Sequence, residues 1–192
     1  GLSYGDQHLN HDNVVLDMRG LNRIISWNKE SGVMTVEAGV TYDMILRLSL
    51  PDKWILPAVP GTRYPTMGGA LANNVHGKNA YRTPTIGGAV LSFVLVTASG
   101  DMVVCSRHEN TDLFFAAIGG SGLLGVIVEI TFQLVRVPAT YLATHIVASP
   151  SLRTLLHDLD RVEETADLAL AVVDCFARGA SLGRGILSYN LW

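Results

Sequence analysis

The chain has 192 residues, of which 48% are hydrophobic and 16% charged, with a net charge of −3 and a pI near 6.0. This composition allows a sizeable core in one large domain, or in one domain and part of another, and excludes a disordered chain. The basic residues are scattered, which excludes a general nucleic-acid binder. The longest uncharged apolar stretch, 113–128, contains four glycines and is shorter than the roughly 20 residues that a bilayer requires, so no transmembrane segment is predicted.

The two cysteines, Cys105 and Cys175, are far apart, and neither belongs to a C-x-x-C pair. The sequence therefore indicates neither a zinc site nor a thioredoxin-type centre, and no metal is expected. A disulfide between the two thiols is one alternative, but two buried free thiols in a reducing compartment are favoured.

The first residue, Gly1, begins inside what reads as a functional loop, without an initiator methionine or a signal peptide. We therefore expect the true N-terminus, and an N-terminal unit of the domain, to be missing from this chain. A cytoplasmic protein is expected, and peripheral attachment to a membrane is left open.

Period-two alternation and β-branched residues predict strands along much of the chain. The predicted strands are 14–18, 33–39, 90–97, 102–105, 126–134, 141–148, 168–173 and 186–189. The pair 90–97 and 102–105 is expected to form a β-hairpin, because Ser99-Gly100-Asp101 supplies the left-handed position that such a turn needs. One face of the strand 126–134 is expected to carry Val128, Ile130, Phe132 and Leu134.

Capping residues mark the beginnings of the predicted helices. Thr41 is a good N-cap for a short helix that ends at the next proline. Asn110 or Thr111 begins an aromatic-rich helix that a run of glycines ends. Ser149-Pro150 provides a cap and a first turn for a charged helix to about residue 165, with one apolar stripe of leucines.

The stretch 56–79 contains three prolines and four glycines and fits neither a helix nor a strand over its whole length. Gly68-Gly69 is followed by one helical turn, 70–72, whose free amide groups are expected to bind a phosphate or a polarised carbonyl. A polar cluster without apolar spacing follows, which argues against core positions; it comprises Asn73, Asn74, His76, Lys78 and Asn79. The alternative is a surface loop with a chance polar cluster.

Two further glycine loops, 1–6 and 119–125, favour a functional interpretation of this stretch. Loops at the ends of strands and helices can converge, and three of them would suit a long ligand with a pyrophosphate in its middle. Residues 120–125 have the spacing G-x-G-x-x-G, but they precede a strand instead of opening a helix, which excludes a Rossmann site. Gly77-Lys78 is followed by an asparagine, which excludes a P-loop.

Individual polar residues in these loops have more than one role open to them. His76 is a satisfied buried histidine, a donor to a ligand or a catalytic base, and its polar neighbours favour the ligand contact. Lys78 is either a surface charge or a group that stabilises negative charge on a bound ligand, such as a phosphate. Tyr4 suits packing as well as stacking. Arg63 and Arg82 either clamp an anionic substrate or are solvated.

Five motifs, together and in order, carry a resemblance to a known family. They are Gly-x-Ser-Tyr-Gly-Asp at 1–6, Leu-Pro-x-x-Pro-Gly-Thr-x-x-x-Thr-x-Gly-Gly-Ala at 56–70, His-Gly-Lys-Asn at 76–79, Thr-Ala-x-Gly-Asp at 97–101, and Asp-Leu-Phe-x-Ala-x-x-Gly-Gly-x-Gly-Leu-x-Gly-Val-Ile at 112–127. This set resembles the FAD-binding domain of the vanillyl-alcohol-oxidase (PCMH-type) flavoprotein superfamily. The His-Gly-Lys-Asn variant is most similar to the oxidase component of decaprenylphosphoryl-ribose 2-epimerase. The resemblance is stronger over 1–138 than beyond it.

The resemblance implies an α+β fold in which two subdomains hold an extended FAD and a substrate-capping domain follows. The FAD-binding domain would occupy 1–138, and 139–192 would begin the substrate domain. By similarity, Ile127 would offer its backbone to the adenine end, and Asn73, Asn74, Val75 and His76 would lie beside the isoalloxazine. The remaining cofactor contacts that the resemblance implies are Gly1, Ser3, Tyr4, Gly5, Asp6, Gly61, Thr66, Met67, Gly68 and Gly69.

The chemistry that the resemblance implies is oxidation of an alcohol carbon by hydride transfer to flavin N5, with FAD held noncovalently and His76 and Lys78 as catalytic residues. The expected partners are a small-molecule alcohol or sugar, lipid-linked or not, and an electron acceptor of unknown identity. Leu2 departs from the subfamily, which commonly has arginine there. Two alternatives are a noncatalytic remnant that acts as a scaffold and a nucleotide-sugar enzyme without flavin.

Overall fold

Residues 2–3, 5–6, 8–83 and 85–192 are described by the computed structural model of the chain. The helices are α1 (Tyr42–Ser49), α2 (Met67–Ala72), α3 (Thr111–Ala117) and α4 (Leu152–Glu163). The strands are β1 (Ile24–Trp27), β2 (Val33–Glu37), β3 (Trp54–Ile55), β4 (Val90–Val96), β5 (Met102–Ser106), β6 (Val126–Gln133), β7 (Val135–Arg136), β8 (Ala143–Ser149), β9 (Leu168–Val173) and β10 (Gly185–Leu191). The fold is α+β, as the resemblance implied.

An antiparallel sheet of five strands, in the order β1-β2-β6-β4-β5, forms the first part of the molecule. The main core lies between this sheet and the helices α1, α2 and α3. Phe93 of β4 stacks on Phe114 of α3 with ring centroids 5.3 Å apart. Phe132 of β6 and Leu71 of α2 are fully buried beside them. This core fixes α2, the helix on which the candidate site depends.

A second antiparallel sheet, in the order β8-β10-β9, carries α4 on one face. Leu155 of α4 and Leu187 of β10 are buried between them. The opposite face exposes apolar side chains, including Ile146, Val172 and Ile186. The predicted apolar stripe of α4 is therefore buried mainly at Leu155. The N-cap of α4 is Ser151, which accepts a hydrogen bond from the amide of Thr154, so the prediction of Ser149 as the cap was wrong.

Local sequence signals predicted several elements correctly. Thr41 caps α1, since its hydroxyl accepts a hydrogen bond from the amide of Met44 at 3.3 Å. The hairpin of β4 and β5 is confirmed, with Gly100 at a φ of +90° in its turn. β6 is confirmed, and a bulge near Val128 interrupts its alternation, so that Ile127 is buried and Val128 is half-buried.

Two further sequence predictions were wrong. The predicted strand 14–18 is not a strand: Val14, Val15 and Leu16 are exposed, and a short 3-10 turn begins at Met18. The thiol of Cys175 is exposed, whereas two buried thiols were favoured. Both cysteines are free, which leaves no disulfide in the described chain. No helix in the described ranges is both long and apolar enough to span a bilayer.

Candidate functional site

Two of the three glycine-rich segments, 56–79 and 119–125, meet in a groove of about 220 Å³. One wall is the beginning of α2, with Thr66, Gly68 and Gly69, and the other is the loop that leads into β6. The full lining is Leu16, Met18, Ala38, Thr66, Gly68, Gly69, Ala72, Gly122, Gly125, Val126 and Ile127. The convergence of these two loops, which the sequence predicted, is therefore confirmed.

Glycine is required in this groove because backbone segments approach closely. A Cβ at Gly68 would lie 2.8 Å from the Cβ of Ala38, which is closer than such atoms come in proteins. A Cβ at Gly125 would lie 2.5 Å from the carbonyl oxygen of Val96, and its φ of +149° is strained for any other residue. These two glycines therefore contribute only backbone atoms to the groove.

The first amides of α2 are already hydrogen-bonded within the protein. The amide of Met67 donates to the carbonyl oxygen of Val40 and that of Gly68 to the carbonyl oxygen of Ala38, each at 2.8 Å. The amide of Gly69 donates to the hydroxyl of Thr66 at 3.2 Å. The prediction of free amide groups here was wrong, because a distant turn supplies the acceptors. α2 contributes shape to the groove, and its amide donors are occupied by the protein.

The turn that accepts these bonds follows the end of β2 and is fixed by an ion pair. Glu37 is buried and accepts hydrogen bonds from the amide of Arg23 at 2.7 Å and from its guanidinium at 2.7 and 2.9 Å. These hydrogen bonds hold the pKa of Glu37 below its ordinary value. The carboxylate therefore holds the end of β2, and with it Ala38 beneath Gly68.

The asparagines of the polar cluster bind neighbouring segments of the chain. The amide nitrogen of Asn73 donates to the carbonyl oxygen of Gly69 at 2.9 Å, and the side-chain oxygen of Asn74 accepts from the amide of Gly87 at 3.1 Å. The side chain of Asn79 accepts from the amide of Val59 and donates to a nearby carbonyl oxygen. These three side chains hold the loop in shape, a role that the sequence did not reveal because their partners are mostly distant in it.

His76 and Lys78 differ from the asparagines around them. The side chain of His76 is exposed and that of Lys78 is half-buried. Within the ranges described, neither side chain has a hydrogen bond or an ion pair. Gly77 between them is buried against the amide of Val59. The loop thus presents an imidazole and an ammonium group that the protein itself does not use.

A larger, apolar cleft of about 560 Å³ lies on the other side of the stretch 61–65. Residues 61–64 form one wall, α1 forms another, and Leu168 and Trp192 belong to a third. Arg63 at this cleft is paired with Asp43, with 3.1 Å between its Nε and a carboxylate oxygen. The cleft therefore has apolar walls with one ion pair at its edge.

The residues expected to contact FAD occupy different places in the fold. The groove is lined by Thr66, Gly68, Gly69 and Ile127, and the apolar cleft is lined by Gly61. Met67, the first residue of α2, is buried in the core. Ser3, Gly5 and Asp6 are exposed and line neither space, while Gly1 and Tyr4 lie outside the described residues. Leu16, Met18 and Ala38 were not predicted as site residues, and no sequence motif marks them; Gly122 and Gly125 had a signal in their G-x-G-x-x-G spacing.

The FAD binding domain family matches residues 1–106, more than half of the chain. The chain belongs to this family. The resemblance to the PCMH-type FAD-binding domain is therefore confirmed, and the family implies FAD as the cofactor.

Curated relatives of this FAD-binding domain include oxidases and dehydrogenases. Decaprenylphosphoryl-beta-D-ribose oxidase of Mycolicibacterium smegmatis is 34% identical over 98% of this chain and 41% of that protein. Cytokinin dehydrogenase 7 of Oryza sativa subsp. japonica is 36% identical over 72% of this chain and 27% of that protein. D-lactate dehydrogenase of Anaerostipes hadrus is 24% identical over 68% of this chain and 28% of that protein. The chain spans less than half the length of these relatives.

The geometry of the groove fits a segment of such a cofactor. Gly68 and Gly125 contribute only backbone to its lining, because a Cβ at either position would collide with Ala38 or with Val96. Its volume is below the range of about 300–1,000 Å³ that is typical of pockets for whole drug-sized ligands, so it would hold one part of an extended molecule. Residues 61–64 line the apolar cleft, and Thr66, Gly68 and Gly69 shortly after them in the chain line the groove, so one stretch of the backbone contributes to both spaces.

Proposed function

We propose that this chain is the FAD-binding part of an oxidoreductase that oxidises an alcohol carbon, with FAD held noncovalently. The observation that supports this most directly is the groove between two glycine loops, together with the free side chains of His76 and Lys78. The substrate would be a small alcohol or a sugar, and a separate electron acceptor would complete the reaction.

Different residues of the stretch 61–69 and of the glycine loops would contact different parts of FAD. Gly68 and Gly69 would face the pyrophosphate and ribityl, and the backbone of Ile127 would face the adenine. The loop 1–6 would add contacts to the pyrophosphate, and Gly61 would join Gly68 and Gly69 at the pyrophosphate and ribityl. Asn73 and Asn74 would act mainly by shaping the loop beside the ring, because their side chains already bind the protein backbone.

Bound FAD would supply the acceptor, at flavin N5, for the hydride of the alcohol carbon. A nitrogen of the His76 imidazole would accept the proton of the substrate hydroxyl, since the exposed ring has no partner in the described structure. The ammonium group of Lys78 would stabilise negative charge on the reduced cofactor. Neither role requires a metal, and the described residues contain no cluster of potential metal ligands.

We also propose a division of the chain at residue 138. Residues 1–138 would form the FAD-binding domain, and 139–192 would begin a substrate-capping domain. The separate sheet β8-β10-β9 supports this division, because it pairs with none of the strands of the first sheet. Leu168 and Trp192 of this second part line the apolar cleft together with Gly61, and in this proposal they would contact the substrate.

The test begins with an absorbance titration of the purified chain with FAD, followed by acid precipitation. We expect flavin absorbance to remain with the protein through gel filtration and to appear in the supernatant after acid treatment. Flavin in the pellet would contradict noncovalent binding, and His76→Asn would then show whether that residue carries the link. Protein that takes up no FAD would overturn the proposal for this chain.

The roles of the two free side chains need matched controls. We expect His76→Asn and Lys78→Gln to keep FAD but to slow its reduction by alcohols. His157→Asn, on the exposed surface of α4, and Lys53→Gln, outside both spaces, remove an imidazole and an ammonium group elsewhere and should leave reduction unchanged. Equal reduction rates in all four variants would overturn the assigned roles. A noncatalytic scaffold is the alternative function that this result would favour.

A further inference from the structure

We infer that Tyr81, Arg82 and Asp167 form a clamp that positions the loop 76–79 against the beginning of β9. The attachment is a property of the described chain alone. Its consequence for catalysis rests on the function proposed above, in which His76 and Lys78 act on substrate and cofactor. In this proposal the three clamp residues contact neither the substrate nor the cofactor, so they are positioning residues.

The side chains of the clamp join two distant segments of the sequence. The phenol of Tyr81 donates a hydrogen bond to the carbonyl oxygen of Ala166. The guanidinium of Arg82 pairs with the carboxylate of Asp167 at 3.3 Å and donates to the carbonyl oxygen of Glu164 at 3.1 Å. The Arg82 side chain is 43% exposed and that of Asp167 28% exposed, so solvent screens the pair only in part.

The backbone continues the same attachment at Lys78. The amide of Ala169, in β9, donates to the carbonyl oxygen of Lys78 at 2.9 Å. The amide of Lys78 donates in the opposite direction, to the carbonyl oxygen of Val59, at 2.8 Å. Lys78 is therefore held between the stretch 56–79 and the second sheet, although its own ammonium group is free.

Asp167 is a rigid anchor for this clamp. Its second carboxylate oxygen accepts a hydrogen bond from the amide of Trp192 at 2.9 Å, and its own amide donates to the carbonyl oxygen of Asn190 at 2.9 Å. Asn190 belongs to β10, the central strand of the second sheet. The loop is thus tied to the sheet through the same residue that holds Trp192 at the apolar cleft.

Positioning matters here because catalytic groups on a loop are less exactly placed than groups on strands or helices. His76 and Lys78 lie on a loop that contributes no strand of either sheet. The clamp gives that loop fixed points on the second sheet, at Ala166, Asp167 and Ala169. Loosening these contacts should disturb the two free side chains and leave the glycine groove intact, because the groove residues make none of the clamp contacts.

The first test measures hydrogen exchange in the protein without FAD. Tyr81→Phe should speed exchange of the amides of Lys78 and Ala169 about fivefold, the effect of losing one typical hydrogen bond. Arg82→Gln removes two contacts and should speed this exchange at least as much. Arg184→Gln is the matched control. It breaks an ion pair with Asp174, 3.0 Å long, at the other end of β9 in the second sheet. Exchange at residues 78 and 169 that is unchanged in both clamp variants would overturn the clamp.

The second test measures the protein after FAD has been added. Both clamp variants should bind FAD as wild type does but show an altered flavin absorbance spectrum and a lower kcat at unchanged KM, and Arg82→Lys should restore part of the loss. If the wild type binds no FAD, the proposed function fails while the exchange result still decides the clamp. Faster exchange with an unchanged spectrum and unchanged kcat would overturn the positioning role.

Discussion

Replacing Gly77 by alanine should destabilise the protein, because the loop and the stretch before it are in backbone contact at that point. A Cβ at Gly77 would lie 2.2 Å from the amide nitrogen of Val59, 2.6 Å from a side-chain oxygen of Asn79 and 2.7 Å from the carbonyl oxygen of Val59. Two of these three neighbours are backbone atoms, which cannot rotate away. One segment must therefore move, and that movement opens the hydrogen bonds that join the two segments.

The magnitude follows from the contacts that are lost. The bond from the Lys78 amide to Val59 and the bond from the Val59 amide to Asn79, at 2.8 and 3.3 Å, each contribute about 1 kcal/mol. Strain from the added methyl group adds about 1–3 kcal/mol. The total of about 3–5 kcal/mol should lower the melting temperature by about 9–15 °C in a protein of this size.

The assay is thermal unfolding of the FAD-free protein, followed by circular dichroism, with Gly61→Ala as the matched control. Gly61 belongs to the same stretch, but nothing lies within 4 Å of an added Cβ there. The control should melt at or slightly above the wild-type temperature, since alanine also reduces the entropy of the unfolded chain. The reasoning is refuted if Gly77→Ala melts within about 2 °C of this control, a shift equivalent to less than 1 kcal/mol.

Three further predictions concern the cap of α2, a buried carboxylate and the thiols. Thr66→Ala should cost about 1 kcal/mol in urea unfolding, because it removes the cap of Gly69, while Thr66→Ser should not; equal midpoints would contradict the cap. The lowered pKa of Glu37 gives stability that is present above its ordinary value near 4.5 and is lost as the pH falls through the lowered pKa. Melting temperatures should therefore fall less on acidification in Glu37→Gln than in wild type, and parallel curves would refute this. A thiol reagent should label Cys175 in the folded protein and Cys105 only after unfolding; rapid labelling of Cys105 in the folded state would be inconsistent with its burial.

The elements that the sequence predicted well are those with a local signal. Thr41 before an amphipathic segment and Gly100 in a tight turn each determine structure within a few residues, and both behaved as predicted. The apolar run 14–18 has the composition of a buried strand, but no strand pairs with it, and its side chains stay exposed. β1 was not predicted, because Ile24–Trp27 is too short to show a clear alternation. Its strand conformation depends on hydrogen bonds to β2.

The sequence predicted where the groove lies better than it predicted the hydrogen-bond partners of the residues around it. The glycine motifs located both walls of the groove, because close approach requires glycine whatever the approaching segment is. The partners of the amides at Met67 and Gly68 lie in a turn remote in sequence, so their occupation could not be read from the motif. The same holds for Asn74 and Asn79, which look like ligand contacts in the sequence and bind the backbone in the fold.

The stretch 61–69 bounds the glycine groove on one side and the apolar cleft on the other. An engineer who reshapes the cleft at residues 61–64 to admit another molecule would also shift Thr66 and the beginning of α2. Substitutions in the two spaces should therefore combine non-additively, with coupling of about 0.5–3 kcal/mol, as is usual for residues that share a backbone segment. Redesign of this protein is best carried out on both sides of the stretch at once, by selecting pairs of substitutions together.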